Sequence, residues 1–364
     1  MLRLPVRVML ACLALFATAG ACAAGASPAP DLPAIADAPR TWALGFGLVP
    51  PRPKVPVVIR LIDLMSQRAE IAAIHEELPW KDLLGGMSAD AILDRDKAGL
   101  VKYLRGKGLK LYLMADPNDG LSRGEEAPQL RALHRSLAEP AVQEAYRRYV
   151  IAFARRFHPE YIGLAAETNL VRRMASPALY AAVKQTANDA AAGLRAGGST
   201  AQLVASVQVE TAWGLLPARG QYMGIEQDLA DFPFVEVLGL SSYPYFAFGK
   251  PADIPDNYYS RLLHDRKLPV MVVEGGWTSA AVGPVQSSPE VQAAYMARLA
   301  QLADSVRARA VIQLLFADLD LDSFPKPQPA ILPLFTRIGV VDAEFRAKPV
   351  LAAWDRLHRR RLSP

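Results

Sequence analysis

The chain has 364 residues, a net charge of +5, two cysteines and five histidines, with 51% hydrophobic and 21% charged residues. That balance excludes an intrinsically disordered chain and allows one large core or two small ones. Two cysteines exclude a disulfide-dense scaffold and a four-cysteine zinc site, and so small a positive surplus argues against a nucleic-acid partner.

The first segment reads as an export signal. Arg3 and Arg7 precede an unbroken apolar run, Val8 to Phe16, followed by small residues from Ala17 to Ala26. This is the pattern of a secretory signal peptide, and the run is shorter than the ~20 apolar residues that cross a bilayer. Ala21 and Ala23 offer an A-x-A cleavage site after residue 23. Ala19-Gly20-Ala21-Cys22 reads equally as a permissive lipobox, with lipidated Cys22 as the sole membrane attachment. Removing 23 residues and their two arginines leaves 341 residues at +3, with no cysteine. The expected location is outside the cytoplasm, as a periplasmic, secreted or lipid-anchored protein. Residues 24–40, rich in Ala and Pro, read as a tether, and residues 41–358 as the folded domain.

From Thr41 the sequence alternates. The strand-like runs are Trp42–Val49, Ile71–His75, Leu109–Met114, Tyr161–Ala165, Leu203–Val209, Val235–Leu240, Val270–Val273 and Val311–Phe316. They are apolar nearly throughout, as strands buried on both faces should be. Helix-like runs lie between them: Ala89–Lys107, Pro140–Phe157, Pro177–Ala196, Asp256–Arg266 and Pro289–Val306. Pro140, Pro177 and Pro289 suit a first helical turn, Ser176 and Ser288 suit N-caps, and Gly106 and Gly108 close a helix before a strand. Eight strand–helix units predict a single (β/α)₈ TIM barrel. The rival, a doubly wound sheet, calls for a Gly-rich phosphate turn opening a helix. Gly45-Phe46-Gly47 runs into Pro50-Pro51 instead and reads as a bend.

A barrel carries its site at the C-terminal strand ends. The polar residues there are His75 with Glu76 and Glu77, Asp116, Glu167 with Asn169, Glu210 with Trp213, Tyr243, Glu274 with Trp277, and Asp318 with Asp320. Acids, amides and aromatics on one rim describe a carbohydrate cleft, because aromatic faces stack on sugar rings while carboxylates bind hydroxyls and transfer protons. Glu167 and Glu274, on the fourth and seventh strands across the barrel, suit the two carboxylates that glycoside hydrolysis needs. Tyr243 is placed to donate a hydrogen bond to Glu274. No H-E-x-x-H metal motif and no G-x-S-x-G elbow occurs, and neither a metal nor a cofactor is expected.

The segments PEYIGLAAETNL (159–170), VEVLGLSSYPYF (235–246), LPVMVVEGGWTS (268–279) and RIGVVDAEFRAKPVLAAWDRL (337–357) resemble glycoside hydrolase clan A, most closely the arabinogalactan endo-1,4-β-galactanase type. The resemblance implies a (β/α)₈ barrel and a retaining mechanism, with Glu167 as acid/base, Glu274 as nucleophile, Tyr243 as the strand-six tyrosine and Trp277 in an E-x-G-W motif. Two positions depart from the clan pattern: Ala166 stands where an Asn precedes the acid/base, with Asn169 nearest, and His75 or Glu76 occupies the region of the strand-two arginine. The expected function is a retaining β-glycosidase acting on a β-linked polysaccharide or oligosaccharide. The expected sugar-contacting residues are Asn169, Tyr243, Trp277, His75, Glu210, Trp213 and Asp116. The alternative is a barrel that binds glycan without cleaving it, or that serves as an envelope or polysaccharide-export partner.

Overall fold

The computed structural model describes residues 37–216 and 220–363. The export signal, Cys22 and most of the expected tether lie outside these residues. Eight strands close into a parallel barrel in chain order: β1 (Ala43–Gly47), β2 (Ile71–Glu77), β3 (Lys110–Asp116), β4 (Tyr161–Ala165), β5 (Gln202–Gln208), β6 (Val237–Ser242), β7 (Val270–Gly275) and β8 (Ala310–Gln313). Each corresponds to one of the expected runs. β1 pairs with β8 from Ala43↔Ala310 to Phe46↔Gln313, which seals the ring.

Pleating divides each strand between two cores. Ile71, Ala73, Tyr112, Met114, Val204 and Met271 fill the barrel interior, while Leu44, Ala72, Ile74, Leu111, Leu113 and Leu203 pack outward against the helices. Gly239 marks how tightly the interior is filled: a Cβ there would sit 2.8 Å from Ser206 Cβ, 2.9 Å from Val273 Cγ1 and 3.1 Å from Val204 Cγ1. Gly239→Ala is therefore expected to destabilise the fold by about 1–3 kcal/mol through overpacking, read as a lowered midpoint in urea. An unchanged midpoint would show that the layer has slack.

Helices Pro140–Phe157, Pro177–Ala196 and Pro289–Ser305 follow the expected spans. Ser176 Oγ caps the second by accepting from Leu179 N at 3.2 Å, and Ser288 Oγ caps the third from Val291 N at 3.4 Å. Two expectations change. The run Ala89–Lys107 is two helices, Ala89–Asp96 and Ala98–Gly106, because Lys97 turns inward to pair with Glu76 at 2.9 Å. Of Asp256–Arg266 only Ser260–Leu263 is helical, and His264 ends it in the left-handed region at φ 48°.

The two ends of the described chain meet. Arg40, at the close of the Ala/Pro-rich stretch, donates its N–H to Arg361 O at 2.9 Å, and Ser363 N returns to Arg40 O at 2.8 Å. Arg360 pairs with Asp304 at 2.8 Å and lies 5.3 Å over Trp42. The C-terminal arginine run thus takes part in closing the base of the barrel, and contacts continue past residue 358. Among the described residues no helix is long and apolar enough to cross a membrane.

Candidate active site

Alternation along β2 and β3 decides which rim residues face inward. His75 follows Ile71 and Ala73, and Asp116 follows Tyr112 and Met114, so both continue the interior rows to the mouth. Glu76 falls on the opposite face, where Lys97 and the Tyr149 hydroxyl (3.0 Å) hold it. From β7 comes Glu274, opposite Ser241 of β6. Glu167 leaves β4 in the left-handed conformation, φ 49°, ψ 48°, immediately before helix Thr168–Met174. A non-glycine residue held there is strained, and such strain gathers at functional sites.

These side chains form one chain of alternating charge. Glu167 Oε2 accepts from Arg123 Nε at 2.9 Å, and Arg123 Nη1 donates to Asp116 Oδ2 at 2.5 Å. The same Asp116 oxygen lies 2.9 Å from His75 Nε2, and His75 Nδ1 reaches Glu274 Oε2 at 3.5 Å. That last distance makes an ion pair rather than a hydrogen bond, and neither Glu274 oxygen has a hydrogen-bond donor among the described residues. Asp116, Glu167 and Arg123 are almost wholly buried, Glu274 is 3% exposed, and the His75 side chain is 16% exposed. Glu274 and His75 line a cavity at the mouth with Gly47, Glu77, Tyr112 and Gln129. Further buried polar atoms of the interior also lack a partner among the described residues: Asp116 Oδ1, Arg123 Nη2, Tyr112 Oη and Ser241 Oγ. Protein interiors rarely leave so many unmet in one place.

The electrostatics follow from burial and from these neighbours. Burial pushes the Asp116 carboxyl up, but Arg123 and His75 outweigh it and hold it below the usual carboxylate range. Burial pushes the His75 ring down, yet Asp116 and Glu274 raise it to about 9, so it is an imidazolium at neutral pH. Burial, with the nearby charges of Glu274 and Asp116, raises Tyr112 well above the usual phenol range and keeps it neutral.

Arg123 is absent from the expected site. It lies on the loop after β3, which folds on itself: Asp119 Oδ1 accepts from Leu121 N and Ser122 N, and Asn118 Nδ2 donates to Arg123 O. Gly124 lets this loop approach helix Thr168–Met174, since a Cβ there would sit 2.7 Å from Met174 O. Arg123 is the only basic residue between Lys110 and Arg131, in a stretch with four acids, Asp116, Asp119, Glu125 and Glu126, flanking it on both sides. Its isolation is the one signal the sequence offered.

The other expected site residues make protein contacts. Asn169 ties the start of helix Thr168–Met174 to the end of β5: its Oδ1 accepts from Leu170 N and Gln208 N, and its Nδ2 donates to Gln208 O, each at 2.9 Å. Ala166 packs in the barrel interior, so no amide side chain stands there. Trp213 donates to Tyr258 O at 2.8 Å and lies under Arg261, 4.7 Å from its centroid. Trp277 is 1% exposed, donates to Ser287 Oγ at 3.1 Å and packs on Tyr295. Tyr243 is buried among Tyr245, Phe246 and Phe335, and its N–H donates to Glu210 Oε1 at 3.1 Å.

Glu210 is fully buried and held by protein donors, Gln208 Nε2 and Tyr258 Oη, both at 2.7 Å. Burial raises its carboxyl to about 7 against those donors. The folded state then holds a proton that the unfolded chain has released, so stability falls as pH rises from about 4.5 to about 7. Glu210→Gln should remove this component: the stability of the native chain relative to the variant should drop by about 3 kcal/mol between pH 4.5 and 8. Urea denaturation at both pH values measures it, and a constant difference would refute the buried protonation. The acid is thus bound within the wall formed by β5 and β6, not presented to a ligand. Among the described residues no group of three or more His, Cys, Asp or Glu is arranged to hold a metal ion.

A closed (β/α)₈ barrel with an acid-lined C-terminal mouth is the class that fold and geometry define. No protein-family model matches the chain, and no curated protein matches its sequence. Solved structures do resemble it. An exo-β-1,4-mannosidase from Opitutaceae bacterium strain TAV5 superposes with TM-score 0.63 at 18% identity over 88% of this chain, which spans 60% of that protein's length. A GH5_18 structure from Streptomyces cattleya in complex with GlcNAc gives TM-score 0.62 at 15% identity, covering 90% of this chain and 83% of that one. A GH5_18 variant from Bifidobacterium longum subsp. longum in complex with Manb1-4GlcNAc gives 0.61 at 13%, covering 89% and 80%. At these identities the likeness establishes the fold.

Proposed function

We propose that the chain is a retaining β-glycosidase acting on a β-linked glycan outside the cytoplasm. Glu274 is its nucleophile and Glu167 its acid/base. The observation that supports this reading is the buried charge chain that links Glu167, after β4, to Glu274 of β7, with Glu274 lining the cavity and neither of its oxygens holding a hydrogen-bond donor among the described residues. Glu274 attacks the anomeric carbon and displaces the leaving oxygen, which takes a proton from Glu167. Glu167 then removes a proton from the water that releases the sugar. The mannosidase and the Manb1-4GlcNAc complex among the similar structures favour a β-linked mannoside as the first substrate to try; a β-galactan is the candidate from the sequence resemblance.

A second reading, glycan binding without cleavage, draws on one observation: Glu167 is fully buried and already paired with Arg123. One experiment separates the two. A panel of 2-deoxy-2-fluoro β-glycosyl donors of mannose, glucose and galactose with a dinitrophenyl leaving group is expected to add one fluorosugar to the peptide bearing Glu274. Binding of glycan with no adduct from any donor would favour the second reading and refute the first.

A further inference from the structure

We infer that His75 positions Glu274 and Arg123 positions Glu167, with Asp116 as the anchor shared between them. This rests on the proposed roles of the two glutamates. The geometry is specific. A single oxygen, Asp116 Oδ2, accepts from both Arg123 Nη1 and His75 Nε2. Each cation then spends its next nitrogen on a different glutamate, Arg123 Nε on Glu167 and His75 Nδ1 on Glu274. Among the described residues His75 is the one charged group in an ion pair with Glu274.

A sugar contact by His75 or Asp116 is what the rim position alone suggests. The contacts argue otherwise for His75, because both of its ring nitrogens already face carboxylates. An imidazole held between two carboxylates, hydrogen-bonded to one at 2.9 Å and in an ion pair with the other at 3.5 Å, is favoured in its protonated form, which carries a proton on each nitrogen. The groups around it agree. Asp116 faces it from β3 and Glu274 from β7, and Tyr112 lines the same cavity; Arg123 stands behind Asp116, and Glu77, two residues on, accepts from Gln129 N at 3.0 Å. The ring's raised pKa of about 9 follows from this setting. The pairing therefore contributes stability in full below the free-imidazole value of 6.5 and loses it as pH rises through about 9.

The test uses the full chain with ¹³C-labelled histidine. The ring signal missing from His75→Gln identifies His75 among the five histidines. That signal is expected to titrate near 9 in the native protein and to move toward 6.5 in Glu274→Gln and in Asp116→Asn. Labelling by the reactive fluorosugar is read alongside. His75→Gln should slow it about ten- to a hundred-fold, the usual cost of losing a supporting partner. His75→Arg should recover much of the rate and lose the alkaline limb near pH 9, since arginine keeps its charge. A native His75 signal that titrates near 6.5, or a His75→Gln protein labelled at the native rate with an unchanged pH profile, would overturn the positioning role. If the native protein takes no label, the hydrolase reading fails, and the ring titration alone decides whether His75 holds Glu274.

Discussion

Glu274→Ala is expected to lose hydrolysis of a β-glycoside by on the order of 10⁴-fold or more, the scale on which other covalent hydrolases feel loss of a nucleophile. The variant should regain turnover in azide and release a glycosyl azide of inverted, α configuration. Alanine leaves room on the face from which Glu274 would attack, and azide then performs the single displacement. Glu167→Ala should behave differently. With a dinitrophenyl leaving group, which departs without a proton, it should still form the covalent intermediate. With an unactivated glycan it should lose about 10²–10⁴-fold, the usual worth of general acid–base catalysis. Azide should attack its glycosyl-enzyme and give the retained, β product. The two anomers separate the roles in a way that loss of activity alone does not. Product anomers assigned by NMR decide it: the same anomer from both variants, or native activity in either, would sink the assignment.

The strands were readable because burial on both faces removes the polar half of the usual alternation. Val270–Val273 and Leu203–Val209 show this as nearly unbroken apolar runs, and helix starts at Pro177 and Pro289 were readable from the Ser-Pro pairs whose hydroxyls cap them. The rim was legible to the same degree, since topology fixes which end of each strand carries chemistry. What a strand-end reading could not supply was direction. Glu210 and Glu274 both read as strand ends, yet Glu210 turns into the wall, where Tyr243 N–H and Tyr258 Oη hold it, while Glu274 lines the mouth. Glu274 lies within β7, whereas β5 ends at Gln208 and Glu210 falls on the helical turn Val209–Ala212 that follows it, which aims the side chain independently of the strand pleat. Arg123 was beyond reach for another reason. Its partners lie at positions 116 and 167, and only the folded loop after β3, held by Asp119 and Asn118, carries it to them.

Arg123→Met should cost about 3–5 kcal/mol at neutral pH, the usual price of stranding a buried charge. The native guanidinium is 1% exposed and neutralises two carboxylates that are wholly buried. Methionine keeps much of its volume and none of its donors. The sign with pH is a sharper test than the size. In the native protein Asp116 is held below its ordinary value of 3.8, so its contribution is present above that value and disappears as pH falls through the lower folded one. Without Arg123, burial is opposed by His75 alone, the carboxyl rises, and the folded variant gains protons that the unfolded chain binds only in more acid solution. The deficit of Arg123→Met should therefore narrow as pH falls toward 5. Adding Glu167→Gln should recover part of the loss at pH 7, because one of the two stranded charges is gone. Urea denaturation of the native chain, the single variant and the double variant at pH 5 and 7 measures all of this. A loss below about 1 kcal/mol, within the range of an exposed pair, or a deficit that does not change with pH, would mean that solvent reaches these carboxylates, and the charge chain would then place the two glutamates without sustaining the fold.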